Sequence, residues 1–457
     1  MLNSGVPVIT PTIVGSVATG AKYVIVQDTV GRTIVNMPTV VNSGGVRWTV
    51  SSVTGAGETD TDGVSYGTGY TNVILTSAGA NAAAATTAVN SKGLSTLATY
   101  SGSNAAMMSL SSAVNNLTDS KDIEKAAAQL RPSTNGGTTQ AALGAVGQAV
   151  NTISIRTDSV RAASADTGGT GVSSGEMLRG LGVWGQGFGS TATQDRRQDV
   201  DGYSADTYGL AFGADAKVLD AVRLGLSLAY ARTNVADSGS RDGSGQDISS
   251  YIASLYGTYS AERWHVDGAL TYGVHDYDGT RVINISGASR QTAKSSYAGQ
   301  QYGAKAELGV PLPVGKTTVT PLLSLAYNHL SQDAYTETGA AAALSVGSSE
   351  TDSIKSGLGA KVSTTMAKIG DWDIKPNARA IWQHEFNTSA QNQTSSYVDG
   401  GSSFTTAASE VARESFTLGI GVDMASVRNM TISAKYDAGL SDRFVSHTGS
   451  LQARMEF

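Results

Sequence analysis

The sequence predicts an all-β membrane protein: a twelve-stranded antiparallel outer-membrane β-barrel with an α-helix in its pore, preceded by a short β-solenoid-like segment and a helical junction. Three observations predict it. The 457 residues include 54 glycines, 15% charged residues and no cysteine, against about 7% glycine and ~25% charge in ordinary globular chains. Beyond residue 180, segments of strict apolar/small alternation recur again and again, the period-two signature of strands with two different faces. The non-apolar face carries glycine, alanine, serine and threonine with sparse mixed charges, whereas a sheet face in open water would be rich in lysine and glutamate.

The same composition excludes other classes. Without cysteine there is no disulfide framework, thiolate metal site or cysteine nucleophile. No apolar run approaches the ~18 residues of a membrane-spanning helix. A net charge of −6 argues against a general nucleic-acid binder, and 40% hydrophobic residues argue against disorder. Residues 1–20 have neither a basic n-region nor a continuous apolar core, so an exported chain of this sequence is expected to be processed or part of a longer frame.

Along the chain, residues 1–77 read as a β-rich segment, the end of a β-solenoid. Its short runs are Tyr23-Val24-Ile25-Val26, Thr33-Ile34-Val35, Val46-Arg47-Trp48-Thr49-Val50 and Val73-Ile74-Leu75, with turns at Gly44-Gly45 and Asp62-Gly63. Trp48, Val50, Val73 and Leu75 are its expected core. Residues 78–133 are an alanine-rich helical junction. There Asp119, Ser120 and Asp122 open a helix that Pro132 stops.

Residues 134–179 hold a pore-threading helix and a Gly/Ser/Thr linker. After Gly136-Gly137, the residues Leu143, Val146, Val150, Ile153 and Val160 keep helical spacing. Gly144, Ala145, Gly147 and Ala149 between them give a slim cylinder. Residues 138–161 would span about 36 Å as a helix. Asn151, Arg156, Asp158 and Arg161 are costly against lipid and suit a polar tunnel better. Arg156 and Arg161 are expected either to touch the pore wall or to complement the helix C-terminus, and one role does not exclude the other.

Residues 180–457 form the barrel, with strands expected around 184–188, 208–216, 222–230, 251–259, 264–274, 302–310, 319–327, 358–362, 374–382, 416–424, 430–436 and 451–457. In one of them Leu224, Leu226 and Leu228 oppose Arg223, Gly225 and Ser227. Apolar residues outward and small or charged residues inward fit a lipid-facing barrel with a wet lumen. Strands of this length cross the hydrocarbon when tilted, and an even count leaves no open edge. The expected pore-lining residues are Asp215, Lys217, Arg223, Asp267, Lys305, Glu307, Lys361, Arg379, Asp423, Lys435, Arg454 and Glu456, together with Asp437.

A family resemblance adds to this reading. Gly182-Val183-Trp184-Gly185-Gln186-Gly187-Phe188-Gly189-Ser190, then Tyr208-Gly209-Leu210-Ala211-Phe212-Gly213-Ala214-Asp215, resembles the autotransporter β-domain of bacterial type V secretion. Gln129-Leu130-Arg131-Pro132, Asn135-Gly136-Gly137 and a helix ending in Arg156 and Arg161 resemble the linker before such a domain. Ala80-Asn81-Ala82-Ala83-Ala84-Ala85 resembles the junction often found upstream. Leu451, Ala453, Met455 and Phe457 at one parity are similar to the C-terminal signal read by the barrel-assembly machinery.

The resemblance implies a translocator in the Gram-negative outer membrane, among lipid and lipopolysaccharide, assembled with periplasmic chaperones and the barrel-assembly machinery. It implies export of the chain's own passenger to the cell surface. The helix residues Leu143, Val146, Val150, Ile153, Arg156 and Arg161 then plug the pore. No catalytic residue, metal, cofactor or nucleic-acid partner is expected.

The sharper motifs have blander explanations. Gly171-Val172-Ser173-Ser174-Gly175 fits the G-x-S-x-G elbow but lies in polar linker. Gly180 to Gly185 fits G-x-G-x-x-G but continues into strand. The histidines His265, His275, His329, His384 and His447 show no ligand spacing. Asn115-Asn116 resembles the dipeptide that some autotransporters cleave but precedes the pore helix. The competing functions are a general porin, which leaves the helical region without a role, and a surface adhesin, in which residues 1–77 are the working part.

Overall fold

The computed structural model describes residues 8–9, 21–29, 39–40, 46–54, 58–61, 65–66, 70–80, 89–164, 180–198, 200–426 and 429–457. The runs around Thr33, the turns at Gly44 and Asp62, and the Gly171–Gly175 motif lie outside them.

At the N-terminus, β1 (Lys22–Thr29), β2 (Val46–Thr54) and β3 (Tyr70–Ala80) form a three-stranded sheet with β3 in the centre. Both pairings are antiparallel, whereas Val8–Ile9 pairs parallel with Thr39–Val40. Short apolar runs between glycine turns suit either arrangement, and partner choice and register are not readable from single strands. Trp48 and Leu75 pack with Tyr23, Ile25 and Val50, and Val73 and Ile74 are buried beside them.

Three short helices follow: α1 (Lys92–Ala98), α2 (Ala105–Asn115) and α3 (Ser120–Gln129). Asn104 caps α2 by accepting from the backbone N–H groups of Ala106 and Met107, and Asp119 caps α3 through those of Lys121 and Asp122. The long helix α4 (Gly137–Ser164) has 28 residues, about 42 Å of rise.

Twelve strands close the barrel. The first six are β4 (Gly182–Gln194), β5 (Tyr203–Leu219), β6 (Val222–Asp237), β7 (Gly245–Ser260), β8 (His265–Ile283) and β9 (Gln291–Gly309). The last six are β10 (Thr317–Gln332), β11 (Ser349–Thr364), β12 (Trp372–Glu385), β13 (Glu414–Ser426), β14 (Met430–Ser441) and β15 (Phe444–Glu456). Each pairs antiparallel with its chain neighbour, and β15 pairs with β4 to complete the ring. Leu226 and Leu228 are 66% and 68% exposed while Ser227 and Ala231 are 7% and 0% exposed, so the apolar parity faces outward as in a lipid-facing wall.

The two rims differ. One has short turns, such as 220–221 and 261–264; the other carries the long connections 333–348 and 386–413. In those long loops Tyr335–Thr336, Leu344–Val346, Asn392–Tyr397 and Phe404–Ala407 pair into a four-stranded sheet. The helices α1–α3 pack onto it and form a cap over this rim. Its core joins Leu94, Leu97, Met107, Leu110 and Leu130 of the helical segment to Leu344, Tyr397 and Phe404 of the loops and to Ile283 of β8. The junction is therefore built into the barrel's own loops rather than standing apart from them.

Candidate functional site

The site is the lumen and the helix inside it. α4 begins at the long-loop rim, where Ala141 and Ala142 touch Tyr203, Val235 and Ile248, and descends toward the short-turn rim. Below, Ala145, Val146 and Ala149 pack on Phe188, Ala231 and Ile252. Lower still, Ile153 packs on Trp184, Ala211 and Tyr256. Helical spacing sets this stripe on one side of the cylinder, and its alanines let the axis approach the wall, whereas Gly144 and Gly147 face open space on the other side. Leu143 and Val150 are partly buried against the first two layers.

The glycines serve this packing in a particular way. A Cβ on Gly213 would lie 2.5 Å from the Trp184 ring, and one on Gly225 2.4 Å from the Tyr256 ring. Small inward residues thus make room for aromatic rings that fill the gap between wall and helix, not for the helix alone.

The foot of α4 is charged. Arg156, fully buried, donates through Nε and Nη2 to both oxygens of Asp215 on β5, each at 2.5 Å. Such a two-pronged pair is the stronger geometry for a guanidinium and a carboxylate. Asp215 also accepts from Arg223 at 2.6 Å and from the Tyr256 hydroxyl at 2.8 Å, and Trp184 Nε1 donates to that hydroxyl at 2.7 Å. One turn on, Arg161 donates to both oxygens of Asp267 at 2.8 Å and to Asp158 at 2.9 Å. Lys361 closes on Asp158 at 2.6 Å.

The other flank of α4 faces a cleft of about 480 Å³ lined by β8–β15 and by residues of β4 and β5. Contacts across it are sparse and polar: Arg379 donates to Asn151 at 2.9 Å while pairing with Asp437, and Lys305 reaches Ser154 at 3.5 Å. The helix therefore sits off-centre.

Of the expected pore-lining residues, Asp215, Asp267, Lys305, Lys361 and Arg379 touch α4 directly. Arg223, Glu307, Asp423, Lys435, Arg454 and Glu456 bond neighbouring lumen groups instead: Arg223 to Asp215, Glu307 to Lys305, Asp423 to Lys435, and both Arg223 and Arg454 to Glu456. Lys217 is a correction: its parity points inward, but two residues from the strand end it emerges at the rim and pairs with Asp220 at 3.0 Å. Leu451, Met455 and Phe457 are 59%, 48% and 60% exposed on the outer face. The terminal residue also bonds the base of the ring, Phe457 N–H donating to the Leu181 carbonyl at 2.9 Å.

Sequence reasoning missed several groups. Gln186, Gln452 and Thr448 line the lumen as neutral polar residues, and the charge-led search passed over them. In the cap, Arg241 donates to the carbonyls of Ala128 and Arg131 at 2.6 and 2.9 Å, and Arg281 to that of Gln129 at 2.6 Å. Arg241 from a loop and Arg281 from the end of β8 thus satisfy the orphan carbonyls at and just beyond the end of α3, where the helix dipole favours cations. Asp237 and Glu337 balance them. Distance along the chain hid the contacts between these arginines and the α3 carbonyls.

A closed antiparallel barrel with an apolar exterior, a charged lumen and a helix entering from the long-loop side defines an outer-membrane translocator. The family model for the autotransporter beta-domain matches residues 183–437, more than half of the chain, and the chain belongs to that family. It is similar to Outer membrane protein B of Rickettsia prowazekii (strain Madrid E), 26% identical over 295 residues covering 63% of this chain and 18% of that one. It is also similar to Outer membrane protein A of Rickettsia conorii (26% over 318 residues; 67% and 15% covered) and to an extracellular serine protease of Serratia marcescens (26% over 265 residues; 57% and 24%). The chain thus matches less than a quarter of the length of each of these three relatives. Among solved structures, the translocator domain of the autotransporter NalP from Neisseria meningitidis aligns at 18% identity and a TM-score of 0.49, covering 69% of this chain and 99% of that one.

Proposed function

We propose that this translocator carries its own N-terminal passenger to the cell surface and that α4 then plugs the pore behind it. The observation that carries the reading is the buried two-pronged contact of Arg156 with Asp215, which ties the linker helix to the wall. A helix held by one fully desolvated ion pair and three apolar layers is a fixed occupant of the lumen, not a passing segment. Deleting residues 138–161 is expected to raise single-channel conductance in planar bilayers; unchanged conductance would overturn the plug.

The pore-lining charges act as sockets for the helix. The outward Leu451, Met455 and Phe457 serve as the signal for the barrel-assembly machinery, with periplasmic chaperones and lipopolysaccharide as further partners. The barrel itself performs no catalysis in this reading. Asn115-Asn116 lies at the end of α2 in the cap, with Asn115 Nδ2 donating to the Ala98 carbonyl at 2.9 Å, remote from the lumen carboxylates. An Asn116→Ala chain is expected to run at the wild-type mass after heating, and a heavier band would instead reveal self-cleavage.

A further inference from the structure

Eleven of the twelve neighbouring barrel-strand pairs are joined by a connection along the chain. The pair β15–β4 is not: its strands are the two ends of the ring. Closing it requires strands some 250 or more residues apart to meet, the most entropically costly contact in the barrel. It is therefore the seam that is held least by local chain connection.

Three groups on one face of α4 meet this seam. Gln148 Nε2 donates to Thr448 Oγ1 at 3.2 Å, and Thr448 donates to Ser190 Oγ at 2.9 Å. Gln452 Nε2 donates to the backbone carbonyl of Thr152 at 3.1 Å and to Gln186 Oε1 at 2.7 Å. Arg156 holds Asp215, which Arg223 links to Glu456 at 2.5 Å. Residues 148, 152 and 156 stand four apart, so they share one helix face. The strand residues they reach are directly opposed across the seam: Thr448 with Ser190, Gln452 with Gln186, and Glu456 with Gly182. A Cβ on Gly182 would lie 2.3 Å from the Arg156 guanidinium, so the lowest rung has room only because that residue is glycine.

We infer that α4 is also a seam fastener: its 148/152/156 face bridges the first and last strands and holds the ring closed, besides filling the pore. Gln148 and Gln452 are positioning residues in this role. The inference rests on α4 occupying the lumen, but its test reads the seam and not the pore. The upper two rungs bond β15 directly and reach β4 through the Thr448–Ser190 and Gln452–Gln186 bonds, and the lowest reaches β15 through Asp215 and Arg223. The helix thereby supplies the connection that this strand pair lacks.

The test is amide hydrogen exchange on the full chain in lipid nanodiscs, comparing wild type with Gln148→Ala, Gln452→Ala and the double variant. None of these removes a buried charge, so assembly should survive. Asn151→Ala serves as the control, because it removes a helix–wall hydrogen bond on β12, away from the seam. The double variant is expected to speed exchange at the β4–β15 amides roughly tenfold, with the β6–β7 amides unchanged and Asn151→Ala leaving the seam at the wild-type rate. Equal acceleration in all strand pairs, seam acceleration in the control as large as in the double variant, or no acceleration would overturn the fastener. Conductance of the same proteins separates the two readings: a plug that stays in place with a loosened seam supports fastening, whereas a lost plug with an unchanged seam refutes it.

Discussion

Arg156 and Asp215 are both buried in the lumen and meet as a two-pronged ion pair. Truncating one member of such a pair leaves an uncompensated buried charge and typically costs 3–5 kcal/mol. Arg156→Ala is expected near the lower end, about 3 kcal/mol, because Arg223 and Tyr256 still serve Asp215. Denaturant unfolding in detergent micelles checks this, and adding Asp215→Asn should recover part of the loss. Gly213→Ala is predicted to cost about 1–3 kcal/mol by driving a methyl into the Trp184 ring and the Leu226 carbonyl. The same measurement tests it, and a neutral effect would mean that the ring has room to move.

At the scale of elements, α4 is slim on purpose and lies against one wall, while the cap closes the long-loop rim. The cap depends on neutral phenols. Tyr397, buried, donates to the Gly93 carbonyl at 2.8 Å, and burial pushes its ionisation well above the usual tyrosine range. Tyr335 is raised in the same way, first by burial and then by Glu337. An acid whose folded pKa is raised stabilises the fold fully below its unfolded pKa, about 10 for tyrosine. That stability is lost as pH rises above it. The cap is therefore expected to loosen above about pH 10, seen as faster proteolysis within residues 89–131. Tyr397→Phe should flatten this pH dependence; an unchanged slope would remove Tyr397 as a cause.

Over the whole molecule, cap and helix stand in series along one channel, and about 480 Å³ of cleft remains beside the helix. Deleting residues 89–131 alone is expected to raise bilayer conductance less than deleting 138–161, and deleting both to raise it most. A larger effect from the cap alone would make the cap the principal closure.

Some of this architecture was legible in residue order. Alternation of Leu224, Leu226 and Leu228 against Arg223, Gly225 and Ser227 fixed which face meets lipid, because side-chain period and burial are local properties of a strand. The spacing of Val146, Ile153 and Arg156 likewise marked a helix with an apolar stripe and a charged foot. Strand pairing in residues 22–80 was not legible, since register belongs to two strands at once. Nor was the cap, whose arginines Arg241 and Arg281 lie more than a hundred residues beyond the carbonyls they satisfy.

What the sequence by itself determined is the class: a barrel with a small-residue, charged lumen and a helix slender enough to enter it, both written in periodicity and composition. What only the tertiary structure decided is how the two are joined. The glycines make room for Trp184 and Tyr256 rather than for the helix directly, α4 leans on one wall, and its 148/152/156 face meets the seam. Each of these is a meeting of residues that the chain keeps far apart, and only closure of the ring brings them together.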